Sequence, residues 1–190
     1  MSASTAQQQA RRLRLMAFDV DGVLTDGTLY FTAQGDEIKA FNSFDGHGLK
    51  MLANAGIVLA IITGRSSRAV ELRARNLGIE LLLQGIEDKH GAMQDLLKQQ
   101  GLEFADAGYM GDDVVDLPLL RACGFSASVP TGHALVQSRV HYVTQAAAGQ
   151  GAVREVCELI LAAQGKLDAA LAPYLAAPEP SADLSAKPRP

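Results

Sequence analysis

The residues best suited to chemistry are carboxylates in short runs punctuated by glycine. Phe18-Asp19-Val20-Asp21-Gly22-Val23-Leu24-Thr25 sets two acids two residues apart where an apolar stretch gives way to a glycine turn. Such a pair has two readings, a solvated Asp-Gly turn or two oxygen groups at a ligand site. Tyr109-Met110-Gly111-Asp112-Asp113-Val114-Val115-Asp116 carries three more acids. Like charges this close repel and raise one another's pKa unless a cation or hydrogen bonds hold them. Hard oxygen ligands suit Mg²⁺ better than zinc or copper, although Asp116 is also placed to be the N-terminal charge of a following helix. Ile61-Ile62-Thr63-Gly64-Arg65-Ser66-Ser67 joins a hydroxyl, a glycine and a helix start, a combination able to bind a phosphoryl oxygen, with Ser66 or Ser67 expected as the helix cap. Lys89, in Gly85-Ile86-Glu87-Asp88-Lys89-His90, falls in the first turn of the next helix, where it opposes the helix dipole. Either an anion compensates it or its stem carries the charge out to solvent.

These groups need a scaffold, and the hydrophobic pattern supplies one. Short apolar runs at 13–18, 58–62, 81–83, 107–110, 124–127 and 140–143 read as buried strands. Between and after them, 48–55, 67–77, 89–100, 115–122, 132–137 and 152–166 carry helical spacing. Strand and helix alternating at this rhythm predict an α/β fold, a Rossmann-like doubly wound parallel sheet covered on both faces. The segments 28–32 and 37–41 break the rhythm: aromatic and β-branched, joined around Gln34 and Gly35, they read as a β-hairpin inserted after the first strand.

With 190 residues and 48% of them apolar, the chain has material for one sizeable core and too little for two ordinary domains. The expected organisation is a flexible N-terminus over 1–12, a single domain over 13–175 with its hairpin at 28–41, and a disordered tail over 176–190, where Pro178, Pro180, Pro188 and Pro190 concentrate. A formal net charge of −4 argues against a nucleic-acid partner, and no apolar stretch approaches the roughly 18 residues of a membrane span. Cys123 and Cys157 are far apart without a C-x-x-C partner, which suggests reduced thiols and the cytosol. His47, His90, His133 and His141 have no metal-site spacing.

Taken together and in this order, D-x-D-G-V-L-T, T-G-R, a lysine and G-D-D-x-x-D resemble the phosphatases of the haloacid dehalogenase superfamily over roughly residues 13 to 166. The resemblance implies that Asp19 is a nucleophile forming an aspartyl-phosphate and that Asp21 is the general acid and then base. It further implies that Thr63 and Lys89 bind phosphoryl oxygens and that Mg²⁺ is held by Asp19, Asp112 and the backbone carbonyl of Asp21. Asp113 and Asp116 look like partners of the metal at one remove, with the choice between them open. The spacings from Asp19 to Thr63 and from Thr63 to Lys89 leave no room for a cap domain. An uncapped site needs another cover, either hairpins of several subunits burying Leu29, Tyr30, Phe31, Ile38 and Phe41 or a docked macromolecule; a lone apolar hairpin favours assembly.

The segment Lys39-Ala40-Phe41-Asn42-Ser43-Phe44-Asp45-Gly46-His47-Gly48 is similar to one branch, the tetrameric 3-deoxy-D-manno-octulosonate 8-phosphate phosphatases, as is 149–157. That likeness implies a homotetramer, a sugar-acid phosphate substrate and a role in lipopolysaccharide synthesis. It also implies that Asn42, Ser43, Phe44, Asp45 and Gly46 line the sugar site while Arg65, Arg73 and Lys89 face its anionic groups, and that the C-terminal tail folds over a neighbouring site or stands idle. Lys50 stands where arginine is expected, keeping the charge without the bidentate fork. Alternatives are a phosphatase of another sugar-acid phosphate, such as an acylneuraminate 9-phosphate, and, from a different class, a phospho-accepting signalling module.

Overall fold

The computed structural model describes residues 3–175, so the expected tail over 176–190 lies outside the described residues. Eight strands are present among them: β1 Leu15–Phe18, β2 Tyr30–Phe31, β3 Glu37–Ile38, β4 Val58–Ile62, β5 Leu81–Leu83, β6 Ala107–Met110, β7 Phe125–Ser128 and β8 Tyr142–Val143. Six form one parallel sheet in the order β5-β4-β1-β6-β7-β8, and β2 pairs antiparallel with β3 as a separate hairpin. The expected doubly wound sheet is therefore present, and the antiparallel hairpin ladder is shorter than the predicted 28–41.

Alternation along each strand divides the core in two. Met16, Phe18, Leu59 and Ile61 point to one face, Leu15, Ala17, Ala60 and Ile62 to the other, as a period of two requires. The first face is covered by α1 Ala3–Ala10, α2 Ser43–Asn54, α3 Arg68–Leu77, α7 Ala152–Ala163 and α8 Leu167–Leu175. The second is covered by α4 Lys89–Gln100, α5 Leu117–Ala122 and α6 Ala134–Gln137. Burial on both faces explains why the strand sequences read as continuous apolar runs.

Three expectations require correction. Residues 3–12 are not simply frayed: α1 buries Ala6 and Ala10 against the core shared with α7, and Gln164 Nε2 donates to the Ala10 and Leu13 carbonyls at 3.3 and 2.9 Å. Its single small-residue stripe carries little periodic signal until α7 supplies the opposing face. Second, α2 starts at Ser43 rather than near residue 48, because Asn42 is its N-cap, its Oδ1 accepting the N–H groups of Phe44 and Asp45 at 2.8 and 3.4 Å. Third, Ser67 occupies the N-cap of α3 without a side-chain cap bond; its N–H donates instead to Gln84 Oε1 at 2.9 Å.

The cysteines behave as expected. Cys123 and Cys157 are unpaired and buried, and burial pushes the Cys123 thiol up to about 12 and raises Cys157 as well, leaving both unreactive. Among the described residues no helix is long and apolar enough to cross a membrane.

Candidate active site

From β1 the chain winds outward through β4 and β5 on one side, then returns to β6 and winds outward through β7 and β8 on the other. The topological switch lies between β1 and β6, where open α/β sheets leave a crevice at the strands' carboxyl ends. Phe18 sits opposite Met110 in register, and the next residue's N–H, that of Asp19, donates to the Met110 carbonyl at 3.0 Å. Asp19 and the Asp112 loop thus leave the sheet side by side.

The turn after β1 brings them closer still. Gly22 has φ +85°, and a Cβ there would lie 2.2 Å from Asp112 Oδ2, so both the backbone conformation and the contact exclude a side chain. Oxygens of Asp19, Asp112 and Asp116 lie within 4.8 Å of one another. Burial, then the charges of Asp19, Asp116 and Asp113, push the Asp112 carboxyl up to about 7. Burial also raises Asp19, while Lys89 pulls it back, so its ionisation is less favourable than a free aspartate's. An all-oxygen, mutually repelling set of this kind fits a hard divalent cation such as Mg²⁺. The Asp21 side chain stands apart from that set and turns to Lys39.

Lys89 resolves the puzzle of a cation in a helix's first turn. It is 5% exposed, and its Nζ donates to Asp19 Oδ2 at 2.5 Å, Asp116 Oδ1 at 2.6 Å and the Tyr109 hydroxyl at 3.2 Å. Burial works to lower its pKa, but the charges and hydrogen bonds of Asp19 and Asp116 outweigh burial and raise it, so it stays charged. Two buried carboxylates, not solvent, compensate the helix end.

Asp116 is the organiser of this cluster. Fully buried, it accepts Lys89 and the Tyr109 hydroxyl on Oδ1 and the N–H groups of Asp112 and Asp113 on Oδ2, at 3.0 and 3.2 Å. Asp113 is exposed and bonds only within its own turn among the described residues. The two acids differ in depth: Asp116 lies beneath the loop and Asp113 on top of it.

Asp19, Asp21, Thr63, Arg65, Lys89 and Asp112 line one cleft of about 460 Å³. The remaining residues expected at the substrate do not line it in the single chain. Asn42 caps α2 and its Nδ2 donates to the Gly149 carbonyl at 3.2 Å. Asp45 is 1% exposed and accepts the Gly151 and Arg154 N–H groups at 3.3 and 2.8 Å, a carboxylate set on the positive end of α7. Arg73 donates to the Asn42 carbonyl at 2.9 Å and fills the space where a Gly46 Cβ would be. Ser43, Phe44 and Lys50 are exposed on α2.

Sequence reasoning missed three residues. Tyr109 is fully buried, with its hydroxyl donating to Asp116 Oδ1 at 3.0 Å and lying 3.3 Å from the Ile62 carbonyl. A tyrosine inside a fully buried strand must find a polar partner, and that signal was available. Glu37 and Lys39, on the hairpin's inner side, reach Arg65 and Asp21. Their spacing of two, which puts both on one face of a strand, was the clue.

No protein-family model matches the chain. It is 46% identical over 162 residues to the 3-deoxy-D-manno-octulosonate 8-phosphate phosphatase KdsC of Escherichia coli K12, covering 85% of this chain and 86% of that one. A crystal structure of 3-deoxy-D-manno-octulosonate 8-phosphate phosphatase from Moraxella catarrhalis, in complex with magnesium, phosphate and KDO, superposes with a TM-score of 0.88 at 47% identity, over 89% of this chain and 97% of that one. A Legionella pneumophila structure placed in the haloacid dehalogenase superfamily, subfamily III A, gives 0.87 at 40% identity, over 90% and 94% of the two chains. Identity at this level across nearly the whole described domain places the chain in the 3-deoxy-D-manno-octulosonate 8-phosphate phosphatase family of the haloacid dehalogenase superfamily.

Proposed function

We propose that this chain is a Mg²⁺-dependent phosphatase that hydrolyses 3-deoxy-D-manno-octulosonate 8-phosphate to 3-deoxy-D-manno-octulosonate and phosphate, a step toward lipopolysaccharide. The observation that carries the reading is the Asp19 carboxylate, held at 2.5 Å by buried Lys89 beside Asp112 at the switch point. Asp19 attacks phosphorus as the ester P–O bond breaks, and Asp21 gives its proton to the departing alcohol oxygen. Water then attacks the aspartyl-phosphate, giving its proton to Asp21 as the bond from Asp19 to phosphorus breaks and phosphate leaves. Thr63 and Lys89 take up charge on the non-bridging oxygens. Asp19, Asp112 and the backbone carbonyl of Asp21 would hold Mg²⁺, with Asp116 fixing the loop and Lys89. Bound Mg²⁺ supplies a positive charge that offsets the repulsion between a carboxylate and a phosphate dianion.

Arg65, its side chain 47% exposed at the cleft rim, is suited to the sugar acid's carboxylate or phosphate. The test is phosphate release from a panel of sugar-acid, sugar, nucleotide and peptide phosphates. We expect the octulosonate ester to be preferred, chelation to abolish turnover and added Mg²⁺ to restore it. Preference for an acylneuraminate 9-phosphate would keep the chemistry and replace the substrate. The signalling reading is not favoured, because relatives matched over 85% of the chain are phosphatases and Asp21 serves turnover rather than storage of a phosphoryl group.

The same reading includes a homotetramer built through the hairpin. Leu29, Tyr30, Phe31 and Ile38 are 40%, 47%, 58% and 55% exposed, whereas Phe41 packs on the core beneath Arg73. Large apolar side chains exposed in this number on one hairpin are what an assembly would cover. Ser43, Phe44 and Lys50 then join the substrate site through a neighbouring subunit. Light scattering should give a mass of four chains, falling to one or two in a Phe31→Asp, Ile38→Asp double variant; a monomeric wild type would sink this part. A cytoplasmic location accompanies the reading and rests on the two unpaired buried thiols.

A further inference from the structure

We propose that Lys39, on the hairpin, is a positioning residue for Asp21, fixing which of its carboxylate oxygens exchanges the proton with the substrate's leaving oxygen. The inference rests on the reaction proposed above. The Lys39 side chain is 1% exposed, and its Nζ bonds Asp21 Oδ1 and lies 3.3 Å from Glu37 Oε1. Glu37 Oε1 in turn accepts Arg65 Nη2 at 3.2 Å, and Arg65 Nε lies 3.8 Å from Asp21 Oδ2. Two acids and two cations from three separate segments therefore close a ring: Asp21 from the turn after β1, Glu37 and Lys39 from the hairpin, and Arg65 from the turn after β4.

An ammonium so far removed from water is retained only with partners, and the partners here are these two carboxylates. Their consequence for Asp21 is asymmetric. Oδ1 is taken by Lys39, with the Thr25 hydroxyl 3.5 Å away, while Oδ2 is shielded from solvent and has no hydrogen-bond partner among the described residues. A buried oxygen without a hydrogen-bond partner, with Arg65 Nε 3.8 Å away, has room for one, and the ester oxygen of a bound substrate can fill it. In the first half-reaction the proton on Oδ2 passes to that oxygen as its bond to phosphorus breaks. In the second, water delivers a proton back to Oδ2 as its oxygen bonds phosphorus and Asp19 is released. Of the two Asp21 oxygens, Lys39 touches only Oδ1. The hairpin is in this way part of the catalytic machinery as well as an apolar surface.

The test compares leaving groups in a single turnover. An alkyl ester needs its departing oxygen protonated, whereas p-nitrophenolate leaves without help. Lys39→Met is expected to slow first-turnover alcohol release from the octulosonate ester about 10²-fold, the lower end of a general acid's contribution. Nitrophenolate release from p-nitrophenyl phosphate should change less than about threefold, because no proton is required there. Lys39→Arg, which keeps the charge, should recover most of the alkyl rate, and Lys39→Gln serves as a milder variant if the methionine form folds poorly. Equal losses on both esters would reveal a merely structural lysine and overturn the proposal, as would an unchanged alkyl rate. Should the wild type prefer a different alkyl phosphate, the comparison is run with that ester, so a wrong substrate and a wrong role for Lys39 give different results.

Discussion

Replacing Asp19 by asparagine should lower turnover by at least about 10⁴-fold, the order lost when an enzyme's nucleophile is removed. Asparagine has nearly the same shape, and its amide oxygen can still accept from Lys89, so the loss should fall on bond making rather than on folding. Removing one negative charge from the cluster also changes its neighbour. Asp19 is the second largest cause, after burial, of the raised Asp112 pKa, so Asp112 should titrate below about 7 in the variant. Phosphate release measures the first effect, and carbon NMR of the labelled carboxylates measures the second. Turnover within tenfold of wild type would exclude Asp19 as the nucleophile.

The second large effect is expected at Lys89. Lys89→Met takes away the cation between Asp19 and Asp116, leaving two carboxylates buried at 7% and 0% exposure without their shared partner. Breaking a buried pair in this manner costs about 3–5 kcal/mol. In a domain of this size that is a fall in Tm of roughly 10 °C. Turnover should fall too, since the same ammonium faces the phosphoryl oxygens. Adding Asp116→Asn to Lys89→Met should recover part of the stability by discharging the deeper acid, but none of the activity, a non-additivity expected of groups in direct contact. Thermal unfolding of the two variants and the wild type decides the matter. A Lys89→Met protein as stable as wild type would mean that the buried pair carries no net stabilisation.

How much was legible in the sequence follows from where the signal is local. β4, β5, β6 and α4 fall where the residue pattern puts them, because each is a short apolar run packed by side chains on both faces or a helix bounded by its own caps, Asp88 and Gly101 for α4. Elements whose apolar face is narrow, or whose cap lies outside the periodic stretch, were misread. Among the described side chains, α1 buries only Ala6 and Ala10, α2 begins at a cap among residues that also resemble a binding loop, and α8 carries Pro173 in its interior. Each is stabilised by packing that no local window contains.

The site divides along the same line. Residue types and order alone were enough to bring Asp19, Asp21, Thr63, Arg65, Lys89 and Asp112 to one end of a parallel sheet, because a strand's last residue and a doubly wound topology determine which loops share an edge. The sequence likewise indicated that these acids needed a cation or hydrogen bonds to hold them. What only the tertiary structure decided is which partner each charge takes: Lys89 with Asp19 and Asp116 under the cover of Tyr109, Asp21 with a hairpin lysine 18 residues away, and Asp45 with the end of α7 over 100 residues away. Those pairings depend on distances of a few ångströms between elements remote in the chain. Coulombic and hydrogen-bond energies vary steeply over that range, while sequence spacing beyond a single element leaves it unspecified.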